Sequence, residues 1–76
     1  MGQRFPICNA NEVIRVLRRN AFVKVGQKGS HQKWRHHDGR QVIVPDHGNK
    51  PIPIGTLKSI IEGAKLTVDE FRQSSF

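Results

Sequence analysis

The 76-residue chain has a single cysteine, Cys8, and no long apolar run. One cysteine excludes an internal disulfide bond, which suits a protein of the reducing cytoplasm. No apolar stretch approaches the roughly 20 residues that cross a bilayer, and no signal-peptide pattern follows Met1. The sequence therefore predicts a soluble cytoplasmic protein without a membrane-spanning segment.

The sequence also lacks the residue spacing of a metal centre. Its one cysteine and four histidines show none of the paired spacings that structural zinc requires. Ser30 lies beside His31, but adjacent residues of a strand diverge, and no carboxylate is evident to orient the histidine for covalent catalysis. A domain of this size does not favour a deep pocket for a small metabolite. We therefore expect no metal and no small-molecule cofactor.

Acidic residues are few, and the excess of cations is local. The chain has six Asp and Glu against thirteen Lys and Arg, a formal net charge of +7. Residues 1–50 hold ten of the cations and three of the acids, whereas residues 51–76 hold three of each. A local positive field attracts nucleic acid, acidic proteins or anionic membranes. Residues 10–19, which are predicted below to form a helix, could lie on a membrane surface. This segment is short and has no large exposed aromatic residue, so a membrane is the least favoured of these partners.

Hydrophobic periodicity and turn signals divide the chain into helices and strands. The predicted elements are a helix over 10–19, strands over 22–25, 31–37 and 40–44, and a second helix that starts near Pro53. Asn9 and Glu12 predict a capping box, and Asn20 is expected to end the first helix in the left-handed conformation. Asp38-Gly39 predicts a tight hairpin.

The remaining segments predict a long loop and a short C-terminal turn. Residues 45–53 hold three prolines and a glycine, a composition typical of a loop. Thr67 and Glu70 form a second capping-box pattern, which starts a turn that docks Phe71. The expected fold is one α+β domain over residues 1–76, with two helices packed on one face of a three-stranded antiparallel sheet.

Residues 28–37 concentrate the chemistry of the chain. They hold three of the four histidines and the only tryptophan, among three cations. Because side chains alternate along a strand, Trp34 shares a face with Gln32 and His36. The opposite face then carries His31, Lys33, Arg35 and His37. With Trp34 in the core, that opposite face is a candidate platform for RNA.

His31 is the best-placed general base in this segment. An imidazole changes charge near neutral pH and can take the proton of a ribose 2′-hydroxyl. Gly29 allows the backbone to approach a ligand closely, and neighbouring cations offset phosphate charge. The expected phosphate contacts are Lys28, Lys33 and Arg35, and the further expected RNA contacts are Ser30, His47 and Lys50.

The other histidines are weaker candidates. His36 and His37 are neighbours on one predicted strand, so we expect them to point to opposite faces and to lie at the surface of the hairpin. His37 is about 20 Å along the strand from His31, too far to touch the same phosphate. The role of His47 stays open between a catalytic acid, a phosphate contact and a solvated loop residue.

The order of motifs along the chain resembles the HicA toxins, which are small messenger-RNA interferases. The resemblance spans Pro6 to Phe71, and its motifs are Phe22 after the first helix, Gly29-Ser30-His31, His36-His37-Asp38-Gly39-Arg40, Val44-Pro45-Asp46-His47-Gly48-Asn49-Lys50 and Gly55-Thr56-Leu57. The catalytic histidine of the family follows the Gly-Ser pair and falls on His31. Family members often have an apolar residue after this histidine and Pro or Glu before the Asp-Gly turn, where this chain has Gln32 and His37.

The resemblance implies a fold, an activity and a partner. The fold is the α-β-β-β-α arrangement of double-stranded-RNA-binding domains. The activity is cleavage of mRNA without a metal cofactor, by the toxin of a type II toxin-antitoxin system. The partner is a HicB-like antitoxin that binds the toxin and blocks its active site.

Two other functions stay open. A non-catalytic RNA-binding module can have the same fold, because such domains recognise duplex RNA by shape and phosphate contacts. A toxin-like remnant would keep only contacts with another protein. A pure binder has no use for a histidine beside a Gly-Ser turn, so the sequence favours an endoribonuclease.

Overall fold

The computed structural model describes residues 6–74. Its elements are α1 (Ala10–Arg19), β1 (Phe22–Lys28), β2 (His31–His36), β3 (Gln41–Pro45), α2 (Ile54–Gly63) and α3 (Val68–Ser74). The strands form one antiparallel sheet in the order β1-β2-β3. The predicted α+β fold is confirmed, and the expected C-terminal turn is a third helix.

Both predicted capping boxes are present. The backbone N–H of Glu12 donates to the Asn9 side chain at 3.0 Å, and the backbone N–H of Asn9 donates to the Glu12 carboxylate at 3.0 Å. Thr67 and Glu70 exchange the same two bonds at 2.8 and 3.0 Å ahead of α3. These bonds satisfy backbone donors that the first helical turn leaves unpaired, and so fix where α1 and α3 begin.

The end of α1 differs from the expectation for Asn20. Asn20 has a φ of −102°, and the left-handed residue is Ala21, with a φ of 68°. The Asn20 amide donates to the carbonyl of Val16 and to the Ser74 hydroxyl, at 2.8 and 3.1 Å. Because these bonds hold Asn20 against the helix end and α3, the chain reverses one residue later.

The prediction that β1 ends at Val25 is wrong. The strand continues to Lys28, and its register shifts where Lys24 pairs with Trp34 but Gly26 pairs with Lys33. Val25 is therefore the extra residue of a β-bulge, a position where a neighbouring glycine costs little. Beyond the bulge, the pairing brings Lys28 directly opposite His31.

The helices cover one face of the sheet only. Trp34, Leu17, Leu57 and Phe71 belong to one buried cluster, and Trp34 is 2% exposed. Burial of these side chains removes apolar surface from water, which is the main favourable contribution to folding. The other face of the sheet stays open. There, Val23 is 60% exposed.

No helix within residues 6–74 is long and apolar enough to span a membrane.

The β2–β3 hairpin turns at Asp38-Gly39, as predicted. Gly39 has a φ of 101°, and its N–H donates to the His36 carbonyl at 2.9 Å. The backbone N–H of Arg40 and its guanidinium lower the pKa of Asp38 to about 2. The Arg40 guanidinium also donates to the carbonyl of Ala64 at the end of α2. The hairpin is thereby tied to the helical layer.

The expectation that His36 and His37 are both surface residues is wrong for His36. His36 is 9% exposed, and its ring packs edge-on against Phe22 at a centroid distance of 5.3 Å. β2 ends at His36, so the alternation of a strand does not extend to His37. The two rings lie 4.3 Å apart instead of on opposite faces.

Alanine substitutions at Gly55 and Gly39 are expected to have opposite effects on stability. A Cβ atom at Gly55, in α2, would meet nothing within 4 Å. Gly55→Ala should raise the free energy of unfolding by about 0.4–1 kcal/mol, because the unfolded chain loses conformational freedom. Gly39→Ala should lower it by about 1 kcal/mol or more, because L residues disfavour its positive φ. Urea denaturation measures both, and a shift of the same sign in both variants would contradict this backbone argument.

Candidate nucleic-acid interface and active site

A shallow depression lies on the open face of the sheet beside the β1–β2 turn. Its volume is about 880 Å³, and its lining includes Lys28, Gly29, Ser30, His31 and Lys33. Gly29 has a φ of 58°, which permits the tight reversal between the strands. The depression therefore presents backbone, imidazole and ammonium groups on one surface.

His31 is exposed in this depression with a lysine on each of two sides. Lys28 is its cross-strand partner, and paired residues of antiparallel strands project to the same face. Lys33 follows two positions along β2, so its side chain lies on that face as well. Within residues 6–74, no carboxylate forms an ion pair with either lysine. Both charges are therefore available to a phosphate.

The structure brings together four of the seven residues predicted for the site. His31, Lys28, Ser30 and Lys33 line the depression.

The other three predicted residues lie outside it. Arg35 is on the same face of β2, two positions after Lys33. Its guanidinium donates to the Gln41 side chain at 3.0 and 2.7 Å. His47 and Lys50 are exposed in the loop that follows β3, and neither lines the depression.

A chain of hydrogen bonds that starts in the core at Trp34, and that is absent from the sequence-based predictions, fixes this loop. The Trp34 indole donates to the Gln32 side chain at 3.1 Å, and the Gln32 amide donates to the Asp46 carboxylate at 3.0 Å. The backbone N–H of Asp46 donates to the Ser30 carbonyl at 2.7 Å, and that of Gly48 to the Asp46 carboxylate at 3.1 Å. The chain of bonds holds the loop against the residue that precedes His31.

One sequence signal pointed to this arrangement. Gln32 occupies a position that alternation places on the buried face, and buried polar side chains nearly always have hydrogen-bond partners. The signal does not identify Asp46 as the partner, because the two residues are 14 positions apart.

Loss of the Gln32 amide should destabilise the domain. Gln32→Leu leaves the buried Trp34 indole without its acceptor and removes one of the two hydrogen bonds to the Asp46 carboxylate, so the free energy of unfolding should fall by about 1–3 kcal/mol. Gln73→Leu, at an exposed position of α3, is the matched control and should change it by less than about 0.5 kcal/mol. Urea denaturation compares the two. Equal small effects would mean that the buried chain of bonds does not support the fold.

Among the described residues, no group of three or more His, Cys, Asp or Glu side chains is arranged to hold a metal ion.

The fold and the site define a small α-β-β-β-α-α domain with an exposed histidine on a cationic sheet face. Residues 10–66 match the model of a family described as the HicA toxin of bacterial toxin-antitoxin. The match covers most of the 76 residues, and the chain belongs to the HicA toxin family. No curated protein sequence matches the chain.

Proposed function

We propose that this HicA-family toxin is a metal-independent endoribonuclease that cleaves mRNA with His31 as general base. The observation that supports the proposal is the exposed imidazole of His31 between Lys28 and Lys33 on the open sheet face. A base that is accessible, and cations that are not neutralised, are what this reaction needs from a protein without a metal ion.

The proposed reaction is an internal transfer at phosphorus. A ring nitrogen of His31 takes the proton of the ribose 2′-hydroxyl, and the 2′-oxygen forms a bond to the adjacent phosphorus. The bond from phosphorus to the 5′-oxygen of the next nucleotide breaks, and that oxygen leaves with a proton from His47, Lys28 or water. The products are a 2′,3′-cyclic phosphate and a 5′-hydroxyl.

The lysines stabilise the charge that builds on the phosphate oxygens during this transfer. Lys28 and Lys33 are the proposed contacts of the scissile phosphate, and Arg35 binds the phosphate that continues along β2. Such charge-assisted contacts act more strongly on the transition state, where the negative charge is largest. Ser30, and His47 and Lys50 of the loop after β3, are the proposed further RNA contacts.

A HicB-like antitoxin is the proposed protein partner, and the cytoplasm is the proposed compartment. Membership in a toxin-antitoxin family supports a paired protein. The cationic open face suits an acidic inhibitor as well as RNA, because complementary charge favours both association rate and specificity. Such an inhibitor would cover His31 and compete with the substrate.

Replacement of His31 tests the proposed mechanism. His31→Ala should lower the cleavage rate by about 10²- to 10⁴-fold, because the general base is lost. RNA binding and the fold should remain, since the side chain is exposed and the lysines stay in place. His37→Ala is the matched control, because His37 is an exposed histidine just after the far end of β2, and this variant should cut at the parent rate. Labelled RNA is incubated with each protein in EDTA, and the products are separated on denaturing gels.

The same assay separates the competing functions. Equal cutting by the parent and His31→Ala would overturn the role of His31. A parent protein that binds RNA without cutting it would be a non-catalytic RNA-binding module, and one that does neither would serve only protein contacts. Mass spectrometry of the cut ends should detect the cyclic phosphate, and its absence would contradict the proposed internal transfer.

A further inference from the structure

A second groove lies on the helical side of the sheet, between α1 and the edge strand β1. Its volume is about 470 Å³, and four of the side chains that line it are cationic: Arg15, Arg18, Arg19 and Lys24. We call it the α1 groove. The proposed cleavage chemistry makes no use of it.

Neutral groups hold three of these four cations in place. The Arg18 guanidinium lies 5.4 Å from the centre of the Trp34 ring. Arg19 donates to the carbonyl of Ser74 at 2.8 Å, and Lys24 donates to the side-chain oxygen of Gln27. A carbonyl, an amide oxygen or a ring face restricts a cation without cancelling its charge. The α1 groove is therefore both ordered and strongly positive.

The lining of the groove has more cations than carboxylates and offers no surface for a base. Asp46 is the one acidic side chain in its lining. Its two oxygens accept hydrogen bonds from the Gln32 amide and the Gly48 N–H, at 3.0 and 3.1 Å. Trp34 is 2% exposed, so it cannot stack on a nucleobase. These features suit a nucleic-acid backbone whose phosphates face the groove and whose bases face away from it.

The α1 groove and the depression that contains His31 lie at the same position along β2, on opposite faces of the sheet. Gln32 lines the groove, and its neighbours His31 and Lys33 line the depression on the opposite face of β2. β1 is an edge strand, so nothing within the sheet blocks a path around it. Lys24 and Lys28, both on β1, mark the two ends of this path.

We propose that one RNA strand occupies both surfaces: the scissile phosphate lies in the depression that contains His31, and the backbone next to the cleavage site lies in the α1 groove. The substrate is then an extended single-stranded RNA, held through its phosphates irrespective of sequence. This inference rests on the proposed endoribonuclease function.

A charge-removal variant tests the groove by binding. Arg15→Gln/Lys24→Gln is placed in the His31→Ala background so that the RNA stays intact. Affinity for a single strand of about 16 nucleotides is measured by fluorescence anisotropy over a range of salt concentrations. The loss of two phosphate contacts should lower this affinity by about tenfold near physiological salt, and reduce the salt slope by about 1.4. Lys58→Gln, an exposed cation on α2, is the matched control and should bind like its parent.

A cleavage assay separates the groove from the active site. With His31 present, the double variant should raise KM for a strand of about 16 nucleotides and leave kcat unchanged. For a dinucleotide, whose single phosphate lies in the depression, kcat/KM should match the parent. An equal loss of kcat/KM on the long and the short RNA would overturn the proposal, because the variant would then affect the depression itself.

Each remaining outcome also decides the proposal. If the double variant binds the long RNA as tightly as its parent does, the proposal is wrong. This holds even if the double variant binds an acidic partner protein more weakly, because the groove would then serve that protein and not RNA. Circular dichroism and thermal melting verify the fold. If the double variant does not fold, Arg15→Gln alone should reduce the salt slope by about 0.7. If neither the parent chain nor the double variant cuts RNA, the proposed function is wrong, and the anisotropy measurement still tests RNA binding by the groove.

Discussion

The burial of Trp34 under the helices sets the orientation of every other side chain on β2. Its ring is 2% exposed within the core cluster, and a strand side chain of that size cannot move to the open face without a large loss of buried apolar surface. Alternation then places His31 and Lys33 on the open face. A shift of one residue in register would bury the proposed base, so core packing and site geometry are the same constraint.

The indole N–H of Trp34 extends this constraint to the loop after β3. Its hydrogen bond to Gln32 orients an amide that in turn binds Asp46, and Asp46 contacts the backbone of Ser30. A buried polar chain of this kind is stable only when each member has its partner. The loop that carries His47 is thus tied to the core through a residue adjacent to His31.

Two cationic surfaces flank the same edge strand, and both keep their charge. Lys28 and Lys33 have no carboxylate partner among the described residues, and neutral acceptors or a ring hold Arg18, Arg19 and Lys24. Arg40 differs, because its guanidinium lies 2.8 Å from the Asp38 carboxylate. Arg40 supports the hairpin, whereas the charge of the other five cations is not offset by a carboxylate partner within residues 6–74 and can attract an external anion.

The sequence by itself determined the start of α1 and α3, the Asp38-Gly39 turn, and the face of β2 that carries His31. These features follow from residues within three or four positions of one another, through caps, turn geometry and alternation. Tertiary structure decided the extension of β1 through its bulge, the ring contact of His36 with Phe22, the bond between Gln32 and Asp46, and the α1 groove. Each of these depends on groups that are distant in the chain and meet only when the helices pack on the sheet, so no local pattern specifies them.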